Sequence, residues 1–186
     1  SGGACTGLGL PPTAIDSVLG VAKAYCTRVG NGPFPTEDEG TTGDELRNKG
    51  FEYGSTTSRP RRCGWFDMVA MKHSIMINGI AECAIMKLDV LSGFDEIRVA
   101  TAYELEGKRL ESFPTDNYTL QNITSVYQSF EGWNEDVSGA RSFEDLPVQA
   151  RKYLGALSSM MGVRLTHASV GPKRSQSIVI PNDVAW

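Results

Sequence analysis

An arginine-rich stretch is the part of this 186-residue chain best suited to bind an anion. Residues 52–67 read EYGSTTSRPRRCGWFD and place three arginines within four positions. Guanidinium groups bind carboxylates and phosphates through paired hydrogen bonds, and the threonine hydroxyls and the backbone N–H groups near Gly54 can add donors. Pro60 reduces the ordering entropy that is lost on binding. The pattern predicts a loop for a negatively charged ligand, and a solvated basic surface loop is the alternative.

Two shorter stretches could complete a binding site. The segment MKLD (86–89) comes where a mostly apolar run ends, and α/β proteins bind ligands at such strand ends. Asp89 there can accept two hydrogen bonds from the N1–H and 2-amino edge of guanine, with the Lys87 stem lying along the base. Adenine would leave the carboxylate unpaired, at a cost of about 1–3 kcal/mol. A solvated strand-end pair is the alternative, and SVGPKR (169–174) alone indicates only a turn.

The elements that must position these residues alternate between helix and strand. The patterns of apolar residues, caps, glycines and prolines predict an α/β fold with a mixed, mainly parallel sheet, flanking helices and a β-hairpin. Helices are predicted at 11–20, 42–49, 68–78 and 146–161. Strands are predicted at 21–29, 81–89, 96–105, 108–113, 163–170 and 175–180, and loops at 30–37 and through the arginine stretch.

Size and composition favour one soluble domain. The formal net charge of −4 argues against a nucleic-acid partner, and no apolar run is long enough to span a membrane. The four cysteines have no zinc-site spacing, so free thiols and a reducing cytosol are expected. His73 and His167 are expected to be structural.

The stretches, taken in order, resemble one enzyme family. The runs KAYCTRVGNGPFPTE (23–37), GSTTSRPRRCGWFD (54–67), MKLDVL (86–91) and SVGP (169–172) are similar to the C-terminal part of adenylosuccinate synthetase. The resemblance covers nearly the whole chain. It implies part of a P-loop-NTPase-like synthetase fold. It also implies a cytoplasmic, typically homodimeric ligase that joins L-aspartate to IMP at the expense of GTP, with Mg²⁺, in the first committed step from IMP to AMP.

The resemblance also assigns binding roles by matching position. The loop 55–61 would bind aspartate, with Arg59 also touching IMP and Arg61 reaching the GTP side. The residues implied for aspartate and IMP are Val29, Gly30, Ser55, Thr56, Thr57, Ser58, Arg59, Pro60 and Arg61. The residues implied for GTP are Arg61, Lys87, Leu88, Asp89, Ser169, Val170 and Gly171.

The sequence departs from the family pattern in two places. The Gly-Asp-Glu-Gly-Lys-Gly-Lys motif that cradles phosphates is not among the 186 residues. No catalytic residue or metal ligand is therefore expected here, the Mg²⁺ ligands are expected in the N-terminal part, and the chain alone is expected to be inactive. Ser58 stands where the family usually has glycine, which is expected to stiffen the loop. The alternative from another class is a non-catalytic nucleotide- or anion-binding module.

Overall fold

A computed structural model describes residues 2–184 of the chain. The helices are α1 (Gly2–Leu8), α2 (Thr41–Lys49), α3 (Met68–Asn78), α4 (Asn117–Asn122) and α5 (Val148–Met161). The strands are β1 (Leu19–Lys23), β2 (Cys26–Arg28), β3 (Arg62–Gly64), β4 (Phe66–Asp67), β5 (Glu82–Met86), β6 (Phe94–Leu105), β7 (Lys108–Leu110), β8 (Thr124–Trp133), β9 (Arg164–Ser169) and β10 (Ser177–Val179). Within this described part, no helix combines the length and apolarity that crossing a bilayer requires.

A four-stranded sheet carries the second predicted site. Its order is β1-β5-β9-β10, with β5 parallel to both of its neighbours and β10 antiparallel to β9. Cys83, Ala84 and Ile85 at the centre of β5 are all buried, as expected for a strand covered on both faces. The predicted mixed α/β architecture with a mainly parallel sheet is confirmed here.

Two further sheets complete the fold. The larger one pairs β6 with β4 in parallel and with β7 and β8 antiparallel. The predicted hairpin of β6 and β7 turns through Glu106 and Gly107, both with positive φ, the geometry that a tight two-residue turn requires. The smaller sheet is the β2–β3 ribbon, which brings Arg28 opposite Arg62.

The two longest helices lie where the sequence predicts them, although α5 begins at Val148 rather than at Leu146. Asp67 caps α3 by accepting a hydrogen bond of 3.0 Å from the Ala70 amide, and Gly79 ends the helix in the left-handed conformation. Helix α5 buries Tyr153, Leu154 and Leu157 in the main hydrophobic core. Its Tyr153 hydroxyl donates to the Ala24 carbonyl at 3.1 Å and so ties α5 to the chain between β1 and β2.

The prediction at the N-terminal end of the chain was wrong. The expected helix over 11–20 is only a short 3₁₀ turn, Pro12–Ala14, and Leu19 and Gly20 belong to β1. Pairing with β5 overrides the local helical signal, because it provides backbone partners that an isolated segment lacks. The expected single strand over 21–29 is divided into β1 and β2, because the chain turns inward and buries Tyr25.

Sequence reasoning also missed α1, α4, β3, β4 and β8, and it predicted a loop where β3 and β4 lie. Strand β8 is the longest of the missed elements, and many of its residues are exposed. Its residues do not alternate between apolar and polar, so the sequence carries no two-residue periodicity. Its backbone hydrogen bonds with β6 make it a strand, and that pairing is visible only in the tertiary structure.

Candidate functional site

The arginine loop lines a cleft of about 350 Å³. The loop forms one wall, and the end of β2 with the residues that follow it forms the other. The lining residues are Arg28, Val29, Gly30, Gly54, Ser55, Thr56, Thr57, Arg59, Pro60, Arg61 and Arg62. The cleft thus brings together every residue that the sequence assigned to aspartate and IMP except Ser58. Residues separated by 24 or more positions in sequence, such as Gly30 and Gly54, face the same space.

The loop is closed by its own backbone. The Gly54 amide donates to the Arg59 carbonyl and the Ser58 amide donates to the Gly54 carbonyl, both at 2.9 Å. Below this turn, the Arg61 amide donates to the Glu52 carbonyl at 2.9 Å. These bonds leave the Thr56 and Thr57 side chains exposed at the tip, where they are accessible to a ligand.

The three arginines of the loop have different environments. The Arg62 guanidinium is used within the protein. It forms an ion pair with Glu37 and donates hydrogen bonds to the carbonyls of Gly30 and Gly32, at 2.9 and 2.7 Å. The Glu37 hydrogen bond raises the pKa of Arg62 further. Within residues 2–184, the Arg59 guanidinium has no hydrogen-bond or ion-pair partner, and the buried Nε of Arg61 has none either. Arg59 and Arg61 therefore have donors to offer an anion.

A second cavity, of about 270 Å³, lies at the end of β5. It is lined by Lys49, Gly50, Phe51, Lys87, Asp89, Val90, Gly171 and Pro172. Of the residues that the sequence assigned to GTP, Lys87, Asp89 and Gly171 are therefore brought together here. Leu88 and Val170 are buried in the core instead, and Arg61 belongs to the first cleft.

The carboxylate of Asp89 has a buried acceptor without a partner. Its Oδ1 is buried and receives no hydrogen bond from any other residue in the range 2–184. Burial raises the pKa of Asp89, although its own amide and the charge of Lys87 oppose this effect. An unpaired buried carboxylate oxygen is costly unless a ligand supplies a donor.

Lys87 is held in place from three sides. Its backbone is left-handed, with φ of 63°, and its amide donates to the Ser169 hydroxyl at 3.1 Å. Its ammonium donates to the Gly50 carbonyl at 2.5 Å and to Glu52 at 2.8 Å. Ser169 therefore positions Lys87 from behind and does not line the cavity.

Glu52 is a buried charged residue that sequence reasoning did not single out. Its side chain is fully buried between the two cavities and contacts Lys23, Tyr25, Arg61 and Lys87. Burial alone would raise the pKa of this carboxyl, but the four hydrogen bonds outweigh burial and lower it to about 2. Burial and the hydrogen bond to the same carboxylate raise the pKa of Tyr25. No sequence motif marked Glu52, because its partners come from distant segments.

Phe51 was also missed. Its ring is 84% exposed at the rim of the second cavity, and its backbone has φ of 51°, which an aromatic residue rarely adopts. The exposed ring offers an apolar face beside Lys87 and Asp89.

The histidines and cysteines lie outside both cavities. His73 stacks on Phe113 with ring centroids 5.1 Å apart, and the His167 Nδ1 lies 2.9 Å from the Thr166 hydroxyl. The four cysteines are free thiols. Burial raises the pKa of Cys63 to about 11 and that of Cys26 to about 12, so neither is a reactive thiolate. In the range 2–184, no three His, Cys, Asp or Glu side chains are arranged to hold a metal ion.

Comparisons of this chain with known proteins, by sequence and by structure, find similarity to the same family. A family model described as adenylosuccinate synthetase matches residues 1–178. The adenylosuccinate synthetase of Salinibacter ruber is 51% identical over 178 residues, which are 96% of this chain and 40% of that protein. The one from Caldanaerobacter subterraneus is 48% identical over 182 residues, 98% of this chain and 42% of that protein. The chain therefore spans about 40% of the length of these curated relatives.

A solved structure agrees with these matches. The fully ligated adenylosuccinate synthetase from Plasmodium falciparum superposes with a TM-score of 0.94 and 40% sequence identity. The superposition covers 97% of this chain and 44% of that one.

Proposed function

Because the chain belongs to the adenylosuccinate synthetase family, we propose that it supplies two binding sites of a GTP-dependent ligase. The ligase joins L-aspartate to IMP and releases adenylosuccinate, GDP and phosphate, the first committed step from IMP to AMP. The arginine cleft binds aspartate and IMP, and the cavity at the end of β5 binds guanine. These 186 residues correspond to the C-terminal portion of the enzyme, and the phosphate-binding portion lies outside them.

The charge of the cleft supports the assignment to aspartate. Aspartate brings two carboxylates, and Arg59 and Arg61 are the loop arginines with donors not used within the described part of the chain. In this proposal Thr56 and Thr57 add hydroxyl donors, and Arg59 also reaches IMP. Closure of such a loop over its substrate assembles the site only when the correct ligand is present.

The buried, unpaired Oδ1 of Asp89 is the observation that carries the guanine assignment. Guanine presents two adjacent donors, N1–H and the 2-amino group, to such a carboxylate. Adenine presents no such pair, so it would leave the oxygen unsatisfied at a cost of about 1–3 kcal/mol. The neighbouring Lys87 ammonium is held within reach of the same cavity by Gly50 and Glu52.

Calorimetric titration with GDP and with ADP tests the guanine pocket. We expect GDP to bind, and we expect Asp89→Ala to weaken GDP binding by about tenfold to a hundredfold, since each tenfold corresponds to about 1.4 kcal/mol. Asp95→Ala is the matched control, because Asp95 is an exposed aspartate that lines neither cavity. Equal binding of ADP and GDP, or GDP binding that is indifferent to Asp89→Ala, would contradict the assignment.

Membership of the family supports proposals for the remaining properties of the enzyme. We propose a cytoplasmic homodimer that uses Mg²⁺ with GTP. The described residues offer no ligand cluster that fits Mg²⁺. No step involving the metal is therefore assigned to this chain.

A further inference from the structure

Glu52 lies between the two cavities and contacts one positively charged side chain from the lining of each. Its Oε2 accepts a hydrogen bond of 2.8 Å from Nη1 of Arg61, which lines the cleft. Its Oε1 accepts one of 2.8 Å from Nζ of Lys87, which lines the base cavity. The same Oε1 also accepts from Nζ of Lys23 at 2.8 Å and from the Tyr25 hydroxyl at 2.6 Å. One carboxylate thus has a partner in each site.

The local charge explains why this carboxylate matters. Three cations surround one anion, and their side chains are each about one-third exposed while that of Glu52 is fully buried. Without the negative charge, Lys23, Arg61 and Lys87 would repel one another at short range. Their flexible side chains would then move apart towards solvent. Both the cleft and the base cavity would lose the orientation of a cation.

We propose that Glu52 is a positioning residue for both sites, holding Arg61 for the dicarboxylate and Lys87 for the guanine nucleotide at the same time. The inference rests on the proposed function, because it takes the cleft and the cavity as those two sites. The backbone of Glu52 supports this role, because its carbonyl accepts a hydrogen bond of 2.9 Å from the Arg61 amide, next to the side-chain ion pair. A change at Glu52 therefore affects two ligands, whereas a change at a residue of one site affects one.

A measurement without ligand tests the positioning directly. In the ¹⁵N-labelled chain, NMR signals of the Lys87 ammonium and of the Arg61 Nη–H groups report how firmly each group is held. We expect Glu52→Gln, which keeps the shape and removes the charge, to speed solvent exchange of both signals. Unchanged signals, including the case in which only thermal stability falls, would overturn the proposal.

The control for this measurement is Glu37→Gln. Glu37 pairs with Arg62 in the wall of the same cleft and makes no contact with Lys87. We expect this substitution to release Arg62 and to leave the Lys87 signal unchanged. If Glu37→Gln released Lys87 as well, the effect would not be specific to Glu52 and the proposal would fail.

A second variant serves if Glu52→Gln does not fold. Lys23 shares Oε1 of Glu52 but lines neither the arginine cleft nor the base cavity. Lys23→Met removes one of the three competing cations, so we expect slower exchange at both Lys87 and Arg61. Faster exchange at both groups would overturn the proposal, since it would show that Lys23, and not Glu52, holds Lys87 and Arg61 in position.

Ligand binding gives the second readout. Calorimetry with GDP and with L-aspartate is expected to show at least a tenfold loss for each in Glu52→Gln, and no loss for GDP in Glu37→Gln. Loss of a single ligand in Glu52→Gln would overturn the shared role. If the wild-type chain binds neither ligand, the proposed function fails for this chain, and the NMR comparison still decides the role of Glu52.

Discussion

Ser58 occupies a backbone conformation that suits glycine better. Its φ is 53°, in the left-handed region, within the turn that Gly54 and Arg59 close. For a residue with a side chain this conformation costs about 1–2 kcal/mol. The family resemblance predicts that a serine here stiffens the loop, and its positive φ means that the serine is also strained. The strain is tolerated because the surrounding backbone hydrogen bonds determine the turn.

Replacing Ser58 with glycine is expected to stabilise the chain. Glycine removes the left-handed strain but loses more entropy on folding, so the net gain in the free energy of unfolding is about 0.5–1 kcal/mol. Urea denaturation of Ser58→Gly against wild type measures it. Ser55→Gly is the matched control, because Ser55 has no positive φ, and it should destabilise. Destabilisation by Ser58→Gly would show that the turn does not require this conformation.

At the scale of elements, the cleft depends on the close packing of β3 against the loop that precedes α2. The Trp65 amide donates to the Thr36 carbonyl at 3.2 Å, and Glu37 forms a bridge with Gly64. A Cβ on Gly64 would overlap the Thr36 carbonyl. The absence of a side chain at this one position lets the two segments approach. That approach brings Arg62 to Glu37 and to the carbonyls opposite the arginine loop.

Gly64→Ala is expected to destabilise the chain by about 1–3 kcal/mol, because the added methyl forces backbone apart in a packed region. Thermal or urea unfolding measures the loss. Gly139→Ala is the control, since a Cβ there meets nothing within 4 Å and the backbone φ is not positive. Equal stability of the two variants would mean that the loop adjusts freely and that the close approach is not needed.

At the scale of the whole molecule, we propose that this chain supplies binding groups rather than reacting groups. The described residues form both cavities, but His73 and His167 are engaged elsewhere and no metal-binding cluster is present in the range 2–184. The outer strand β1 leaves Leu19 and Val21 half or more exposed at the edge of its sheet. Such an edge is available for pairing. The chain matches about 40% of its relatives' length.

The 186-residue chain is therefore expected to show no turnover with IMP, GTP, Mg²⁺ and L-aspartate. We propose that the groups that exchange protons with IMP and hold the GTP phosphates belong to the portion of the enzyme that this chain does not cover. A coupled assay for GDP release measures this, with the adenylosuccinate synthetase of Salinibacter ruber as the positive control. Turnover above background would show that the chain contains the catalytic groups and would contradict the proposed division of labour.

Local chemistry made part of the fold predictable. Helix α3 is specified by its cap Asp67 and its terminal Gly79, and the hairpin of β6 and β7 by Glu106-Gly107, all within a few residues of the elements concerned. The errors in the predicted elements arose where pairing with a distant segment decides the structure. The stretch 11–20 has helical spacing, yet its last two residues, Leu19 and Gly20, pair with β5 as part of β1. Strand β8 has no periodicity of its own, yet it pairs with β6.

The sequence alone determined which residue types are available for binding: the arginine loop, Lys87 with Asp89, and the motifs that carry the family resemblance. These are local patterns, and short-range sterics and hydrogen-bonding chemistry make them readable. Only the tertiary structure decided which of these residues face a cavity and which are used internally. Arg62 is occupied by Glu37, Ser169 supports Lys87 from behind, and Glu52 joins cations up to 35 positions away. Such assignments depend on contacts between distant segments, which exist only after the chain has folded.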